Sequence, residues 1–585
     1  MKYSDLLAKW LRNMGYTHCF FVPGGNVMHL VASCSAHFRM VGVVHEVAAG
    51  IAAEYFNEAH PQEKAFALVT AGPGLTNVVT ALAGAFLESR ELLVLGGQVK
   101  TADLRDLWLR QRGIQEIDGV RIAEPVCCVA RRLDAPVSLA SFQRWVGNVG
   151  SPRPGPVFLE LPLDVQARSV DEASLERADP AEGLHPVIPL AGASVKTALV
   201  ERIRAAERPV LLLGGGVSRK TMRTVYAQLE AMGIPLMTTW NGADRVGAEH
   251  PLYFGRPNTW GQRYANVLLQ KCDLLVALGT RLGLQQTGFR WQEFVPEGEV
   301  LQVEIDPAEL SKGHPHVEWP VLGDANDVLR HLAGSHLGDH TAWVRCCSKV
   351  RDALPLVEPN HTGAGYVSPY RFYEEIAGWC RAEDVVIPCS SGCAYTVAMQ
   401  VFAQRWGQTI ITNKGLASMG YGLSGAIGAA LAHPDRRTIL FEGDGGFAQN
   451  LQELGTVVAN RLSLKIFLFD DQGYASIRMT QQSYFAGRFV GCEVQGGLGL
   501  PPWDKLFAAY GIPVLRIDGP VADCPGFAEA FEAPGPCAFV LAIDPAQTYF
   551  PKITSRVAAD GTMQSNPLHR MTPEVPDIDW AAYCK

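Results

Sequence analysis

Two short apolar runs in the last third of the chain end in acidic residues, and this feature restricts the fold more than any other. The first run leads into Gly443-Asp444-Gly445, and the second, Lys465-Ile-Phe-Leu-Phe469, leads into Asp470-Asp471. The pattern predicts strand, turn, helical segment and strand, with acidic groups at the carboxyl ends of two neighbouring parallel strands. Two hard oxygen ligands at that edge suit Mg²⁺ bound to a phosphate. The plainer alternative is two strand-end aspartates that cap turns.

The rest of the chain repeats this alternation of strands and helices. Apolar strands that run into glycine turns indicate mostly parallel sheets. Because 585 residues exceed what one core accommodates, we predict an α/β protein with three doubly wound parallel-sheet domains. Two segments, 168–195 and 354–369, lose the rhythm and are interpreted as linkers. The predicted domains are residues 1–170, 190–345 and 365–550, followed by a C-terminal tail, 551–585.

Charge and cysteine usage narrow the class of protein. A formal net charge of -8 without a Lys/Arg cluster provides no electrostatic footprint for nucleic acid. No apolar run approaches the ~18 residues that a membrane span requires. The 14 cysteines are scattered and form no Cys-x-x-Cys motif, which indicates buried thiols in a reducing compartment. We therefore expect a cytoplasmic protein that binds neither nucleic acid nor membranes.

Several motifs occur together in one order along nearly the whole chain. They are His45-Glu-Val-Ala-Ala-Gly50 and the two acidic strand ends, with the neighbours Pro23-Gly-Gly25, Ala71-Gly-Pro-Gly74, Gly96-Gly-Gln98, Ile114-Gln-Glu116, Gly415-Leu-Ala-Ser-Met-Gly420 and Asn450-Leu-Gln-Glu453. In this set the chain resembles the thiamine diphosphate (ThDP) enzymes of the acetolactate synthase and pyruvate oxidase group. The family pattern is Gly-Asp-Gly followed at a set distance by Asn-Asn, with a glutamate at the end of a short strand far upstream.

The resemblance implies a ThDP site with a divalent ion. Asp444, the side chain of Asp471 and the carbonyl of Gly473 would hold Mg²⁺, and Glu46 would bind N1′ of the aminopyrimidine and promote the imino tautomer that removes the C2 proton. The residues that the resemblance assigns to ThDP are Glu46, Pro23, Gly72, Asn77, Gly392, Cys393, Ala417, Met419, Gly443, Gly445, Gly446, Tyr474 and Ala475. Gly25, Asn26 and Gln115 would face the substrate beside Glu46. Alternatives are a helix-start glutamate at 46, a core methionine at 419 and a solvated loop residue at 115.

Position 471 departs from the family pattern, because the second asparagine is an aspartate in this chain. A carboxylate remains a good Mg²⁺ ligand, but two charged ligands beside a diphosphate add repulsion unless the ion balances it. We predict that the metal is still bound.

The middle unit resembles the FAD-carrying domain of acetolactate synthases, although some relatives bind ADP or nothing there. The positions that the resemblance assigns to FAD are Gly214, Gly215, Thr239, Gly255, Arg256, Gly279, Thr280, Arg281, Glu304, Ile305, Gly323 and Asp324. Each glycine turn alone is a weak signal, since any doubly wound domain contains such turns. The set as a whole predicts FAD.

The reaction that the resemblance implies is decarboxylation of a 2-keto acid, with pyruvate as the first choice, and transfer of the acyl anion equivalent to a ketone or keto-sugar acceptor. Thr480 stands where acetolactate synthases carry an acceptor-selecting Trp, and this region looks more like the sugar-branching carboligases of yersiniose synthesis. The alternatives are acetolactate synthase, a flavin-dependent pyruvate oxidase and a non-catalytic relative. The resemblance also implies a homodimer or homotetramer with active sites between subunits.

Overall fold

The computed structural model describes residues 1–60, 62–106, 108–147, 153–176, 188–389, 392–557, 559–576 and 580. These residues form three α/β domains, each built on one parallel sheet, so the predicted architecture is confirmed. No helix in the described ranges is long and apolar enough to cross a membrane. Parts of the predicted linker 168–195 and of the tail 551–585 lie outside the described residues.

The N-terminal domain is built on six strands. They are β1 (Tyr16–Phe21), β2 (Arg39–Gly42), β3 (Lys64–Val69), β4 (Leu92–Gln98), β5 (Val129–Arg132) and β6 (Pro156–Pro162). The sheet order is β2-β1-β3-β4-β6-β5. The helices are α1 (Tyr3–Asn13), α2 (Met28–Cys34), α3 (Glu46–Ala59), α4 (Pro73–Glu88), α5 (Gly119–Ala123), α6 (Leu139–Val146), α7 (Leu163–Ala167) and α8 (Glu172–Glu176).

Strand β4 runs further than the apolar run Leu92–Leu95 predicts. It continues through Gly96 and Gly97 to Gln98 and stays in register with β6. A Cβ on Gly96 would lie 2.8 Å from the ring of Phe158, and one on Gly97 would overlap the backbone of Asn26. The two glycines therefore serve close approach within a strand and do not end it.

The central domain has five strands. They are β7 (Pro209–Leu213), β8 (Leu236–Thr238), β9 (Leu274–Leu278), β10 (Glu299–Glu304) and β11 (Trp319–Leu322), in the order β11-β10-β9-β7-β8. The helices are α9 (Ala193–Ala205), α10 (Arg219–Val225), α11 (Arg263–Lys271), α12 (Leu284–Thr287), α13 (Pro307–Ser311), α14 (Ala325–Ala333) and α15 (Thr341–Ala353). Strands β7 and β9 have the bounds that the buried apolar runs predict.

The C-terminal domain again has six parallel strands. They are β12 (Val385–Pro388), β13 (Thr409–Ile410), β14 (Thr438–Gly443), β15 (Leu464–Asp470), β16 (Val514–Ile517) and β17 (Cys537–Ala542), in the order β13-β12-β14-β15-β17-β16. The helices are α16 (Pro369–Trp379), α17 (Gly392–Val401), α18 (Tyr421–Ala432), α19 (Asp444–Phe447), α20 (Leu454–Ala459), α21 (Ala475–Tyr484), α22 (Trp503–Ala509) and α23 (Phe527–Glu532).

One detail of this domain and one of the tail were not predicted. The single helical segment predicted between β14 and β15 is three pieces, α19, a 3-10 turn at Leu451–Glu453 and α20. The amide of Asn450 donates to the carbonyl of Gly420 at 2.7 Å, which fixes the break between the pieces. The described part of the tail forms an antiparallel hairpin, β18 (Ser555–Val557) and β19 (Met563–Ser565), and then packs Leu568 and Met571 into the core around α11.

Helices α3 and α18 join the N-terminal and C-terminal domains through small residues. A Cβ on Gly425 would lie 2.6 Å from the ring of Tyr55, and a Cβ on Gly428 would overlap the backbone of Ala52. Backbones can approach this closely only because glycine has no side chain. Contact with α18 therefore fixes the position of α3 relative to the C-terminal domain. Glu46, in the first turn of α3, is fixed with it.

Arg219 ties the central domain to both others. Its guanidinium donates to Asp244 of the central domain (2.6 Å), to Glu58 at the end of α3 (2.7 Å) and to the carbonyl of Ile410 in β13 (3.0 Å). Asp244 is fully buried and Arg219 and Glu58 are partly buried, so these bonds restrict the geometry while their contribution to stability is small. The three domains therefore form one body in which the carboxyl edges of the sheets have set positions.

Candidate active site

The carboxyl ends of β14 and β15 lie side by side, since Gly443 pairs in register with Phe469. The backbone N–H of Gly473 donates to Asp444 Oδ2 at 3.0 Å, and that of Gly445 donates to Asp444 Oδ1 at 2.7 Å. The loop after β15 is thus bonded to the aspartate after β14. The structure therefore brings Asp444, Asp471 and Gly473 to one edge of the sheet.

This arrangement suits a divalent cation that also binds a diphosphate. Among the described residues there is no group of three or more His, Cys, Asp or Glu side chains that could hold a metal by itself. The available donors are two carboxylates and the carbonyl of Gly473, and such a set of few hard oxygens leaves positions for phosphate and water, as Mg²⁺ prefers. The donor set fits a metal that is completed by its ligand.

Burial of these carboxylates in their charged form destabilises the folded protein unless a cation is bound. Asp444 is 0% exposed and Asp471 is 3% exposed. Burial and the neighbouring charge of Asp471 raise the pKa of Asp444 well above its usual range. Burial raises the pKa of Asp471 to about 7, against the opposing effect of Arg478. A bound cation would favour the charged form of both groups, so the electrostatics agree with the donor chemistry.

Arg478 is a site residue that the sequence reasoning missed. It lies in the first turns of α21, is 4% exposed, and donates from Nη2 to Asp471 Oδ1 at 2.9 Å and to the Asp471 carbonyl at 2.6 Å. An arginine on an amphipathic helix normally indicates a solvated face. A charge at 471 where the family has a neutral amide was the one available signal that a buried partner is needed.

Gly445 is required by close packing. A Cβ on Gly445 would overlap the ring of Tyr474 and lie 3.1 Å from the carbonyl oxygen of Gly473, whereas a Cβ on Gly443 would meet no atom within 4 Å. The turn after β14 and the loop after β15 therefore touch at Gly445. Gly446 follows half-buried in the same turn, where its backbone can approach a phosphate.

We expect Gly445→Ala to push these two segments apart. The substitution should lower the free energy of unfolding by about 1–3 kcal/mol and weaken ThDP binding, because the displaced groups are the metal and phosphate ligands. Gly378→Ala is the matched control and should leave ThDP binding unchanged without lowering the free energy of unfolding, since Gly378 is exposed in α16 and an added Cβ would meet no atom within 4 Å. Thermal unfolding and ThDP titration of the two variants check this. Equal behaviour of the two would contradict the packing role of Gly445.

Glu46 begins α3, and three residues separate it from the carboxyl end of β2. Its Oε2 accepts a hydrogen bond from Asn77 Nδ2 at 2.9 Å, and Oε1 lies 3.6 Å from the position that a Cβ on Gly74 would take. The residue as a whole is 9% exposed. His45 caps the helix by accepting from Val47 N–H at 3.2 Å, so Glu46 is not needed as the cap. The glutamate is therefore held by Asn77 with one oxygen available to a ligand.

Glu453 connects this glutamate to the metal-site domain. Its carboxylate accepts from the backbone N–H of His45 at 2.9 Å and from that of Val44 at 3.1 Å, and from the hydroxyl of Thr456 at 2.7 Å. It follows Asp444 by one short helix and one 3-10 turn. The end of β2 is therefore anchored to the segment that carries Asp444. The sequence places Glu453 in the motif Asn450-Leu-Gln-Glu453 but predicts no role for it.

The loops that were predicted to face the substrate surround the same edge of the N-terminal sheet. Gly72 has φ +66°, and a Cβ there would overlap the backbone of Gln115, which itself has φ +61° and an exposed side chain. Gly25 opens a 3-10 turn and faces open space. Asn26 is held at its carbonyl by Gln166 Nε2 at 2.8 Å. Pro23 is exposed immediately before them.

The remaining predicted ThDP residues lie in the C-terminal domain. Cys393 in α17 is buried beside Asp471, and burial followed by that negative charge raises its pKa well above the usual range. Gly392 precedes it with φ +67°. Ala417 has φ +51° and donates to Asn413 Oδ1 at 2.8 Å, and Met419 is half-buried with its sulfur 3.7 Å from Gln449 Nε2. Tyr474 and Ala475 begin α21 beside Gly473.

In the central domain, the predicted nucleotide residues lie at the carboxyl edge of the sheet. The turn after β7 packs on the turn after β9, because a Cβ on Gly214 would overlap the carbonyl of Gly279. Glu304 is 7% exposed and accepts from Ile305 N–H at 2.9 Å. Asp324 caps α14 by accepting from Asn326 N–H at 2.8 Å. Gly215, Thr239, Thr280 and Gly323 adjoin these turns.

Arg256 does not face this edge. Its side chain is 2% exposed and donates to Gln404 Oε1 at 3.1 Å and to the carbonyl of Phe402 at 2.8 Å, both in the C-terminal domain. Gly255 has φ +89°, and a Cβ there would lie 2.9 Å from the hydroxyl of Tyr264. The guanidinium of Arg256 is thus committed to a contact between domains. The site prediction for Gly255 and Arg256 stays a prediction.

A cavity of about 240 Å³ lies next to these turns, between the central and N-terminal domains. Its walls include Arg281 and Asp306 on one side and Leu87, Cys128 and Arg153 on the other. Arg153 closes one side by donating to Asp306 Oδ2 and Glu309 Oε1, each at 3.0 Å. The volume is below the ~300–1,000 Å³ of common ligand pockets, so a dinucleotide here would extend along the open glycine turns.

Comparison with known proteins agrees with this geometry. Residues 1–122, 197–332 and 390–540 match the N-terminal, central and C-terminal domains described for thiamine pyrophosphate enzymes, the outer two of them as TPP-binding domains. The acetolactate synthase isozyme 2 large subunit of Escherichia coli is 30% identical over 513 residues, which covers 86% of this chain and 89% of that protein. The isozyme 1 large subunit of the same organism is 28% identical over 557 residues, 94% and 95% of the two chains. A probable acetolactate synthase large subunit of Methanocaldococcus jannaschii is 29% identical over 569 residues, 94% and 93%.

Proposed function

The chain belongs to the thiamine pyrophosphate enzymes, and from this premise we propose that it is a ThDP- and Mg²⁺-dependent carboligase that decarboxylates pyruvate and transfers the two-carbon unit to a second carbonyl compound. The observation that carries the proposal is the bonded contact between Asp444 and the Gly473 loop, with Asp471 beside them and Glu46 anchored to the same domain through Glu453. ThDP, when bound, supplies the nucleophilic carbon and the electron sink that decarboxylation of a 2-keto acid needs.

The chain's own residues have separate tasks in this proposal. Asp444, Asp471 and the Gly473 carbonyl hold the ion, and the backbone of Gly445 and Gly446 approaches the diphosphate. Glu46 offers a carboxylate oxygen to the aminopyrimidine ring and fixes its protonation state, while Asn77 keeps that carboxylate in place. Gln115, Gly25 and Asn26 border the space where the 2-keto acid would lie.

We propose a second 2-keto acid as the first choice of acceptor, because the similar proteins named above are acetolactate synthase large subunits. The other candidate is a ketone such as a keto sugar. It is supported by the small side chain of Thr480 on the exposed face of α21, which leaves space for a bulky acceptor at that position. The two acceptors differ in size, and the same donor half-reaction serves both.

Purified protein with ThDP, Mg²⁺ and pyruvate separates these possibilities. Acetolactate formed without another acceptor supports the synthase, and CO₂ release accelerated by a keto sugar supports the sugar carboligase. Peroxide formation or quinone reduction would instead indicate an oxidase. No turnover of pyruvate or of other 2-keto acids would overturn the proposal in favour of a non-catalytic relative.

For the central domain we propose FAD, bound along the turns after β7, β9 and β10. The support is the position of Gly215, Glu304 and Asp324 at one carboxyl edge. The absorbance spectrum of the purified protein, and of the supernatant after denaturation, tests for flavin directly. Release of ADP or of no nucleotide would remove FAD from the proposal and leave the ThDP chemistry untouched.

We also propose a homodimer or homotetramer. Its support is the exposure of large apolar residues on the loops near the candidate site, Trp108 at 94% and Ile114 at 84%. Sedimentation velocity of the wild type and of a Trp108→Ser variant measures the state, and a monomeric wild type would contradict the proposal.

A further inference from the structure

Arg478 contacts the loop that follows β15 through both terminal nitrogens of its guanidinium, while its Nε is buried without a hydrogen-bond partner. Nη2 donates both to the side chain and to the carbonyl of Asp471, and Nη1 lies 3.5 Å from the carbonyl of Cys492. That carbonyl also accepts from the N–H of Tyr474 at 2.9 Å. The guanidinium therefore fixes the side chain and backbone of Asp471 and links both to the segment that covers the loop.

The charges around this loop are unbalanced without Arg478. Asp444, Asp470 and Asp471 follow two adjacent strands, and a diphosphate would bring further negative charge to the same edge. Arg516 acts on Asp470 from the surface, where it is paired with Asp504 at 3.0 Å. Arg478 is the cation in direct contact with Asp471, and both side chains are 5% exposed.

From these contacts we propose that Arg478 is a positioning residue that allows a carboxylate at 471 to act as a metal ligand beside a diphosphate. It holds Oδ1 and so directs the other oxygen, Oδ2, to the ion, and its charge cancels the charge that Asp471 adds. Asp444, Asp471 and Arg478 together then carry the single negative charge of an Asp-and-amide pair. This inference rests on the proposed ThDP and metal site.

Four variants test the proposal: Arg478→Met, Asp471→Asn, the double variant Asp471→Asn/Arg478→Met, and Arg478→Lys. The measurement is ThDP affinity at saturating Mg²⁺, by calorimetry on the cofactor-free full chain. Arg478→Met should weaken ThDP binding about 10- to 100-fold, the range found when a residue that orients a metal ligand is lost. The double variant should recover to within about threefold of wild type, and Arg478→Lys should lie between wild type and Arg478→Met, since it keeps the charge and loses the fork.

Arg488→Met is the matched control, because Arg488 is exposed just beyond α21 and should not affect binding. If Arg478→Met folds and its ThDP affinity is unchanged, the inference is overturned. The ion pair between Arg478 and Asp471 would then have only a structural role. If Arg478→Met does not fold, Asp471→Asn and the double variant decide: a double variant that binds ThDP more tightly than Asp471→Asn supports charge matching, and one that binds no more tightly overturns it. Wild type that binds no Mg²⁺·ThDP would instead overturn the proposed function, so the two failures are distinguishable.

Discussion

A Glu46→Gln variant should lose about 10²- to 10⁴-fold in the rate of pyruvate turnover, the contribution of a positioned acid–base group. The amide keeps the shape of the side chain and can still bond to Asn77, but it cannot bind and polarise the aminopyrimidine as a carboxylate does. ThDP and Mg²⁺ affinity should change little, because the metal and diphosphate ligands lie in the other domain. Exchange of the cofactor C2 proton with solvent deuterium, followed by NMR, should slow in parallel with turnover.

The control for Glu46→Gln is Glu124→Gln, an exposed glutamate of the same domain. If Glu46→Gln turns over pyruvate at a rate within about threefold of the wild-type rate, the proposed role of Glu46 is ruled out. A loss of turnover without slower C2 exchange would place the defect in the later steps and contradict the assignment of this carboxylate to the aminopyrimidine.

Asp444→Asn should reduce Mg²⁺-dependent ThDP affinity by more than about 100-fold, because loss of a direct ligand exceeds the 10- to 100-fold cost of losing an outer-shell partner. The same variant should raise the thermal stability of the cofactor-free protein. Asp444 is fully buried beside Asp471, so replacing its carboxylate by an amide removes a repulsion and the cost of a buried charge from the folded state. We expect this gain to exceed the loss of one of the two acceptor oxygens that bond to the N–H groups of Gly445 and Gly473. A substitution that weakens ligand binding and raises thermal stability is expected where the functional residues destabilise the folded state.

Titration of ThDP at saturating Mg²⁺ and thermal unfolding of the cofactor-free protein provide the two measurements. Asp435→Asn, an exposed aspartate in the turn before β14, is the control for both. Wild-type ThDP affinity in Asp444→Asn would contradict the assignment of Asp444 as a metal ligand. Loss of binding together with loss of stability would indicate a structural role for Asp444 instead.

The parts of the fold that could be predicted were those in which local pattern and burial agree. Strands β7 and β9 are apolar runs that are buried at every position and end in glycine turns, so their sequence has no competing interpretation. Strand β4 was predicted too short because its two glycines are used for close packing, and only the neighbours Phe158 and Asn26 reveal this. The hairpin β18–β19 has three-residue strands that are mostly exposed, and such strands carry no periodic signal.

The candidate site divides in the same way. Asp444 and Asp471 could be placed together because parallel strands put their carboxyl ends at one edge, whereas Gly473 was implied by the family resemblance. Arg478 and Glu453 could not be found, since their partners, Asp471 and the N–H groups of Val44 and His45, are set by tertiary contacts. For Arg256, the family resemblance implies a nucleotide contact; the side chain bonds to Gln404 and Phe402 of the C-terminal domain, and the nucleotide contact stays a prediction.

The glycine contact between α3 and α18 also determines how much sequence change the chain tolerates. Gly425 and Gly428 have no space for a methyl group, and the atoms in the way belong to Tyr55 and Ala52 in another domain. A larger residue on either helix must displace the other helix, and with it Glu46. Substitutions in the contact between α3 and α18 are therefore tolerated only when a compensating substitution occurs on the other helix. The two domains, although far apart in the sequence, must change together at these positions during evolution.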